Sequence, residues 1–500
     1  MAAGRRLVSP ALPRARQQGA TPLQAGVALG VSLLAGAALV ASPDWWIAFG
    51  LVGVAGLVAL GLAKPALFLS IFLLVRPLLD QFSQSTVGVP SANVAGALGA
   101  FLVAITIVVL ALRQQRVSVP GTAPLLAITI VSVILAVEAN FEVGSVMGTR
   151  SISELVRLIA LVAVFLLAAH VTTSVSKARL MYVVIVLSAI GPAGYGIYEL
   201  IHGVPVEEGD DIARISGTFT GPVPFGAFMA FTALVCIFGP VQKLPGWVRW
   251  PALALMLVAL LESYSRVGWV IFILGLLILA WPRQKRLVVV ALVGFAIALM
   301  VSHDVRERAL PVDSAAQSSD TPGGEAGYES YDWRLANWGG LLDKAAERPL
   351  LGYGLKTTEF VNPRAPTSDF NAAAGSGFGA HNTFVRVMVE GGVVLLLIYL
   401  AFFALVMRRT WRLSRADWPL AEPARLVLVV WGLVLFTGAT TDDPFSLTAL
   451  MVGLLALTGA LEGAWRAQGR SLEQAVPVRA EGGAPSPFWR PAAPGGAPSG

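Results

Sequence analysis

Residues Gly375 to Leu400 read "GSGFGAHNTFVRVMVEGGVVLLLIYL". A glycine-rich stretch passes directly into an apolar run long enough to cross a bilayer, for which a helix needs about twenty residues. Four polar side chains stand at the junction: His381, Asn382, Arg386 and Glu390. The reading of this junction decides the fold. If the apolar run is a membrane helix, His381 lies at its lip, and the glycine-rich stretch belongs to a loop outside the membrane.

Composition favours the membrane reading. The chain has 500 residues, 56% of them hydrophobic and 13% charged, whereas a soluble domain carries roughly a quarter charged residues. Apolar runs of spanning length fall near 24–42, 46–63, 65–79, 92–112, 121–138, 153–172, 180–201, 222–240, 246–264, 266–282, 286–301, 384–407, 423–440 and 444–462. The expectation is an all-α polytopic integral membrane protein with about fourteen transmembrane helices. The first run follows a long basic segment (Arg5, Arg6, Arg14, Arg16) and reads as an uncleaved first helix rather than a signal peptide. The single Cys236 lies in an apolar run, so it reads as a packing residue and no disulfide framework is expected.

Basic and acidic loops alternate. Lys64, Arg113, Arg116, Lys177, Arg179, Lys243, Arg249, Arg283, Arg286, Arg408, Arg409 and Arg412 fall in one set; Asp44, Asp80, Glu138, Glu142, Glu207, Asp211, Asp442 and Asp443 fall in the other. Basic loops face the cytoplasm. The net charge of +6 therefore reflects orientation rather than nucleic-acid binding. The predicted organisation is a cytoplasmic basic segment 1–23, helices 1–11 over 24–301, an external loop 302–383, helices 12–14 over 384–462, and a Pro/Gly/Ala-rich cytoplasmic tail 463–500 that reads as disordered. Trp45, Trp46, Trp250, Trp269, Trp281 and Trp411 lie near helix ends and read as an interfacial aromatic belt.

Polar residues gather in four places on the loop side. Arg214 is the basic residue of an acidic stretch that leads into a helix, with a salt bridge to Asp210 or Asp211 as the structural alternative. In "LLESYSRVGWVIF" (Leu260 to Phe272) almost nothing joins two apolar runs, so Glu262 and Arg266 lie at the membrane face, where ionisable groups are costly and pair or bind something. A Glu262–Arg266 pair at i,i+4 in a continuing helix is the structural alternative. In the long loop, Trp333, Leu335, Trp338, Leu341, Leu342 and Ala345 recur at helical spacing, predicting an amphipathic helix that Pro349 stops and that carries Arg334. "FNAAAGSGFGA" (Phe370 to Ala380) is either a lid or slack chain. At the last place, Asn382 is a candidate helix cap, and His381 faces solvent or a cavity. His202 and His303 on the same side are given no role.

There is no phosphate-binding loop of the G-x-x-x-x-G-K-[ST] type and no His/Cys cluster with metal spacing, so neither cofactor nor metal is expected. Arginine offers a planar, always-charged fork suited to phosphate, and histidine accepts a proton near neutrality. Together they suit displacement of a pyrophosphate leaving group by a hydroxyl.

The motifs "RISGTF" (214–219), "SR" (265–266), "ERPLLGYGL" (347–355) and "AHNTFVRVMVEGG" (380–392) occur in this order. In these the chain resembles the O-antigen ligases and related O-antigen polymerases, over about 60 to 465. The resemblance implies a fold like the membrane glycosyltransferase C class. It implies metal-independent, inverting transfer of a saccharide from an undecaprenyl-pyrophosphate donor to a glycan or lipid-glycan hydroxyl. The location implied is the periplasmic or exterior face of the bacterial inner membrane. It assigns catalysis to His381, Arg266 and Arg334 and donor pyrophosphate binding to Arg266, Arg334 and Arg214; by their place beside these residues, Asn382, Glu262 and Arg386 are expected to support them. The sequence departs at "GPVPF", where Val223 stands in place of the family's Asn. The alternative reading is a transporter or flippase of glycan lipids, which should place charges near the bilayer midplane; Arg76 and Arg157 lie in helix interiors. A scaffold for an envelope assembly is a third.

Overall fold

The computed structural model describes residues 53, 56–83, 94–112, 122–143, 145–203, 214–281, 285–302, 305, 331–363, 379–440 and 447–469. The first predicted span, half of the second, Trp45, Trp46, His303, the Asp210–Asp211 and Asp442–Asp443 pairs and the 370–378 stretch lie outside these residues. All regular structure among the described residues is helical.

In chain order the helices are α1 (Pro65–Val75), continued by a 3-10 segment (Arg76–Ser83), α2 (Val94–Leu112), α3 (Thr122–Val143), α4 (Ser145–Val171), α5 (Val175–Ser188) and α6 (Ile190–His202). Then come α7 (Pro222–Phe238), α8 (Gly246–Glu262), α9 (Arg266–Ala280), α10 (Lys285–Val301), α11 (Tyr331–Glu347), the single turn α12 (Thr358–Val361), α13 (Thr383–Arg415), α14 (Ala421–Thr440) and α15 (Thr448–Ala467). Among the described residues six stretches are long and apolar enough to cross a membrane: Pro65–Phe82, Ser151–Val171, Val175–His202, Thr383–Arg415, Ala421–Ala439 and Thr448–Ala467. Shorter apolar helices cover Gly96–Leu112, Thr122–Glu138, Pro222–Phe238 and Arg266–Ala280. Over the described residues the protein is thus all-helical, with the several apolar spans of a multi-pass membrane protein. The expected spans at 246–264 and 286–301 form helices of 17 residues each.

The hub of the bundle is α15. Every residue from Ala449 to Trp465 is buried, against α4, α5, α7 and α14. Small residues permit this. Gly459 lies against the Phe165 carbonyl and Ala168, Gly463 against the carbonyls of Ala169 and Thr172, and Gly453 against Phe231. Close backbone approach at small residues is how helices associate where lipid tails remove the hydrophobic drive. Cys236 is fully buried in the same core.

The two ends of the bundle carry different polar chemistry. At one end the Glu462 carboxylate receives a two-armed hydrogen bond from Arg409, at 2.6 and 3.0 Å, and Arg466 donates to the Ala169 carbonyl. Arg249 donates there to the carbonyls of Cys236 and Ile237. The other end, where α11 and α12 lie, holds the residues singled out from sequence.

Two expectations change. Trp250, Trp281 and Trp411 are exposed at helix ends, but Trp269 is buried and donates from Nε1 to the Leu260 carbonyl, at 3.1 Å. It closes the turn between α8 and α9 rather than joining a belt. The apolar stripe of α11 also divides: Leu341 and Ala345 are buried against Val385 and Val389 of α13, while Leu335 and Leu342 are exposed.

Candidate functional site

The α8–α9 turn is not a continuing helix. Glu262 ends α8, Tyr264 takes a left-handed backbone (φ 47°), and Ser265 caps α9 by accepting from Gly268 N–H. The i,i+4 helical geometry assumed for a Glu262–Arg266 pair is therefore absent. Arg266 is the first residue of α9 and is exposed. The "RISGTF" segment packs on this turn: Ile215 N–H donates to the Glu262 carbonyl at 3.4 Å, and Arg214 Nε reaches the Ser263 carbonyl at 3.5 Å. Val223, at the family's Asn position, offers its carbonyl to the Ser265 hydroxyl. Arg214, Glu262 and Arg266 thus form one group.

Arg334, His381, Asn382 and Arg386 form a second. Asn382 caps α13, its Oδ1 accepting from the N–H groups of Phe384 and Val385 at 2.9 and 3.1 Å. Its Nδ2 donates to the Ala439 carbonyl at the end of α14. The strap before it is held by α11: Asn337 Nδ2 donates to Gly379 O and Trp338 Nε1 to Ala380 O. Arg334 lies one helical turn before these two side chains, on the same face. His381, next along the strap, has φ 46°. A left-handed backbone is uncommon away from glycine and tends to cluster at functional sites. Among the described residues three non-glycines show it, Tyr264, Lys356 and His381. Each stands one residue before a helix N-cap: Ser265, Thr357 and Asn382.

Between the groups lies a buried charge network that the sequence reading missed. Arg157 donates to both Glu154 oxygens, with Nε to Oε2 at 2.7 Å. Arg386 Nη1 stands 3.7 Å from Glu154 and 3.2 Å from Glu390. Glu390 also accepts from the Thr358 hydroxyl at 2.9 Å. Lys356 Nζ lies 3.5 Å from Glu359. Burial draws the Lys356 ammonium pKa down, but Glu359, Glu154 and Glu390 together outweigh this and raise it. Arg76 pairs with Asp80 at 2.8 Å.

The network lines a cavity of about 440 Å³. Arg76, Asp80, Glu154, Arg157 and Lys356 contribute its charged wall, and Ser153, Thr220 and Thr448 its hydroxyls. Phe72, Leu161, Pro224, Leu447 and Val452 make an apolar wall. The chain of contacts around it is continuous. Gly226, in the first turn of α7, abuts Ser265 beside Arg266; Pro224 of that same turn lines the cavity. Lys356 also lines it, two residues before Thr358, and so leads through Glu390 and Arg386 to Asn382. Both groups therefore stand at one end of the bundle.

The motifs 347–355 and 380–392 prove to be halves of one construction. α13 breaks at Gly392 (φ 61°, ψ −165°), and the 349–354 backbone enters the break. Val393 and Val394 N–H donate to the carbonyls of Pro349 and Leu350, and Tyr353 and Gly354 N–H donate to those of Val389 and Glu390. A broken helix at membrane depth needs such substitutes for its lost internal bonds. Just outside the break, the Tyr353 hydroxyl donates to Glu347 at 2.6 Å. Burial and this carboxylate push the Tyr353 pKa up to about 12, and the same bond, with help from Lys344, lowers Glu347.

These are the segments that known proteins share. Residues 251–400 match the O-antigen ligase family model. The resemblance read from the motifs is borne out over this segment. A general O-oligosaccharyltransferase of Acinetobacter baylyi is 28% identical over 193 residues, covering 36% of this chain and 33% of the relative. The match thus spans about a third of that relative's length. The matched segment contains α9, α11, the 379–382 strap and the start of α13, so it includes Glu262, Arg266, Arg334, His381, Asn382 and Arg386; Arg214 lies before it.

Proposed function

We propose that the protein transfers a saccharide from an undecaprenyl-pyrophosphate carrier to a hydroxyl of a glycan or lipid-glycan acceptor, at the outer face of the bacterial inner membrane. The acceptor oxygen attacks the anomeric carbon of the donor sugar as the bond to the diphosphate breaks, inverting that centre. His381 takes the hydroxyl proton. Arg266 and Arg334, with Arg214 behind, hold the diphosphate that leaves with the electron pair. Asn382 fixes the start of α13, and Arg386 anchors it to the buried network.

The observation that carries this reading is the shared end of the bundle. The turn bearing Arg266 and the strap bearing His381 lie there together, within a segment that matches the O-antigen ligases. Support for an enzyme over a flippase comes from the exposure of Arg266 at a helix start; alternating access calls for charges near the midplane. The test is deletion of the chromosomal copy followed by glycan analysis. Loss of attached polymer with accumulation of lipid-linked chains marks a ligase, and single-repeat products mark a polymerase. Lipid-linked glycan that no longer reaches the outer face marks a flippase and overturns the proposal.

A further inference from the structure

The cavity lies apart from the side chains proposed to do the chemistry: none of His381, Arg266, Arg334 and Arg214 lines it. Its size, about 440 Å³, falls within the range of small-molecule sites, roughly 300–1,000 Å³. What it can hold follows from how its charges are arranged.

Each cation on the wall already faces a carboxylate. Arg76 faces Asp80, Arg157 forks onto Glu154, and Lys356 faces Glu359. An entering diphosphate would have to compete with those carboxylates and stand beside Asp80 and Glu154, at a cost in repulsion within a poorly solvated space. A neutral polyhydroxyl ligand meets no such conflict. Arg76 holds Asp80 through one carboxylate oxygen, from Nη1, so the other oxygen keeps lone pairs for a ligand O–H, and the guanidinium keeps N–H groups for a ligand oxygen. Bonds of this kind are charge-assisted and directional. The hydroxyls of Ser153, Thr220 and Thr448 add groups that donate or accept. Phe72, Leu161 and Val452 line the same space and supply dry surface for the C–H groups of a sugar ring. Polar groups interleaved with apolar side chains suit a pyranose, which carries both kinds of surface.

We propose that this cavity is a saccharide subsite, holding one or two sugar units of a substrate while the diphosphate is bound elsewhere by Arg266 and Arg334. Asp80 and Arg76, with the hydroxyls of Ser153 and Thr220, are its recognition residues, and the Arg157–Glu154 pair forms part of its wall. The inference rests on the proposed transfer for the identity of its ligand, and it explains why an otherwise apolar bundle keeps two buried ion pairs facing one space.

The test uses full-length protein in nanodiscs and three probes. They are the oligosaccharide released by mild acid from the lipid-linked glycan of the same cells, undecaprenyl diphosphate without glycan, and inorganic pyrophosphate. Binding is measured for the wild type, for Asp80→Asn, and for Thr220→Trp, which fills the cavity from an exposed loop position. The expected result is that the wild type binds the oligosaccharide and both variants bind it about tenfold or more weakly, the scale of one lost hydrogen bond to a charged group, with undecaprenyl diphosphate bound as before. Turnover assays then separate the two sources. A rise in KM for the lipid-linked donor alone assigns the subsite to donor glycan, and a rise for the acceptor alone assigns it to acceptor glycan. Unchanged oligosaccharide binding in Thr220→Trp overturns the proposal, as does a loss of undecaprenyl diphosphate or pyrophosphate binding equal to that of the oligosaccharide. Wild-type protein that binds the oligosaccharide but transfers nothing leaves the subsite standing and removes the proposed reaction.

Discussion

The carbonyl of Leu350 occupies the space that a side chain on Gly392 would need. Gly352 stands in the same relation to the Val389 carbonyl across the break, and both glycines have positive φ, 61° and 68°. Each therefore meets two demands, a left-handed backbone and room for another backbone.

Gly392→Ala should accordingly lower stability by about 1–3 kcal/mol, the cost of a side chain in that backbone region, with overpacking adding to it. Thermal unfolding of the purified protein checks this. Gly294, with open space around it inside α10, is the control site, and its alanine variant should melt with the wild type or slightly above it.

Removing Arg386 leaves Glu390 and Glu154 buried with less compensation, so Arg386→Leu should destabilise by about 3–5 kcal/mol. Changing Glu390 to Gln in the same chain should restore part of the loss, since the amide carries no charge. Protein level and melting temperature read both. No recovery in the double variant would show that Arg386 acts through other partners.

Lys356 gives the pH dependence. Its folded pKa is raised, so the protonated form is preferred in the folded state. The stabilisation is complete below the unfolded value, near 10.5, and is lost as pH rises through the folded value. Lys356→Met should be less stable than the wild type at pH 7, and the gap should close in strongly alkaline buffer. A constant gap across that range would mean that Lys356 acts by packing alone.

His381→Ala, with normal expression, should slow transfer by roughly a hundredfold or more if it is the general base. Arg266→Lys keeps the charge but loses the fork, and should be impaired rather than neutral. Rates of purified variants on lipid-linked donor decide both; wild-type turnover in His381→Ala removes the role proposed for the strap.

Topology is tested by cysteine labelling. Cys236 is buried, so a Cys236→Ser background should fold and give no signal. With an impermeant thiol reagent, Ser318→Cys should label from outside intact spheroplasts and Ser414→Cys only after lysis. The reverse pattern inverts the orientation.

The helices were legible because a membrane helix announces itself by composition over twenty residues, and the cap at Asn382 by residue type at a helix start; the cap at Ser265 was not, since the apolar runs on either side of it leave almost no linker to mark a break. The stitch between 349–354 and α13 was not legible. It is made by backbone groups of two segments nearly forty residues apart, and no periodicity records which carbonyl enters which break. Arg76 and Arg157 were noticed only as oddities inside apolar runs, since their partners Asp80 and Glu154 are close in sequence but acquire meaning from the cavity they face together. Lys356 carried no signal at all: its left-handed backbone is a property of the folded loop, and lysine gives no hint of it.

The burial of α15 bears on how the protein is made. Helices leave the ribosome in order, and α4, α5 and α7 enter the bilayer before the helix against which they pack. Until α15 arrives, Gly459 and Gly463 have not yet met the carbonyls of Phe165, Ala169 and Thr172, and the Arg409 fork has no Glu462 to receive it. Until then the earlier helices lack the partner they pack against in the finished fold. A chaperone that shields such half-made bundles, or a pause in translation before residue 448, would act on this interval, and a stop codon there would release a chain with a hole where its axis should be.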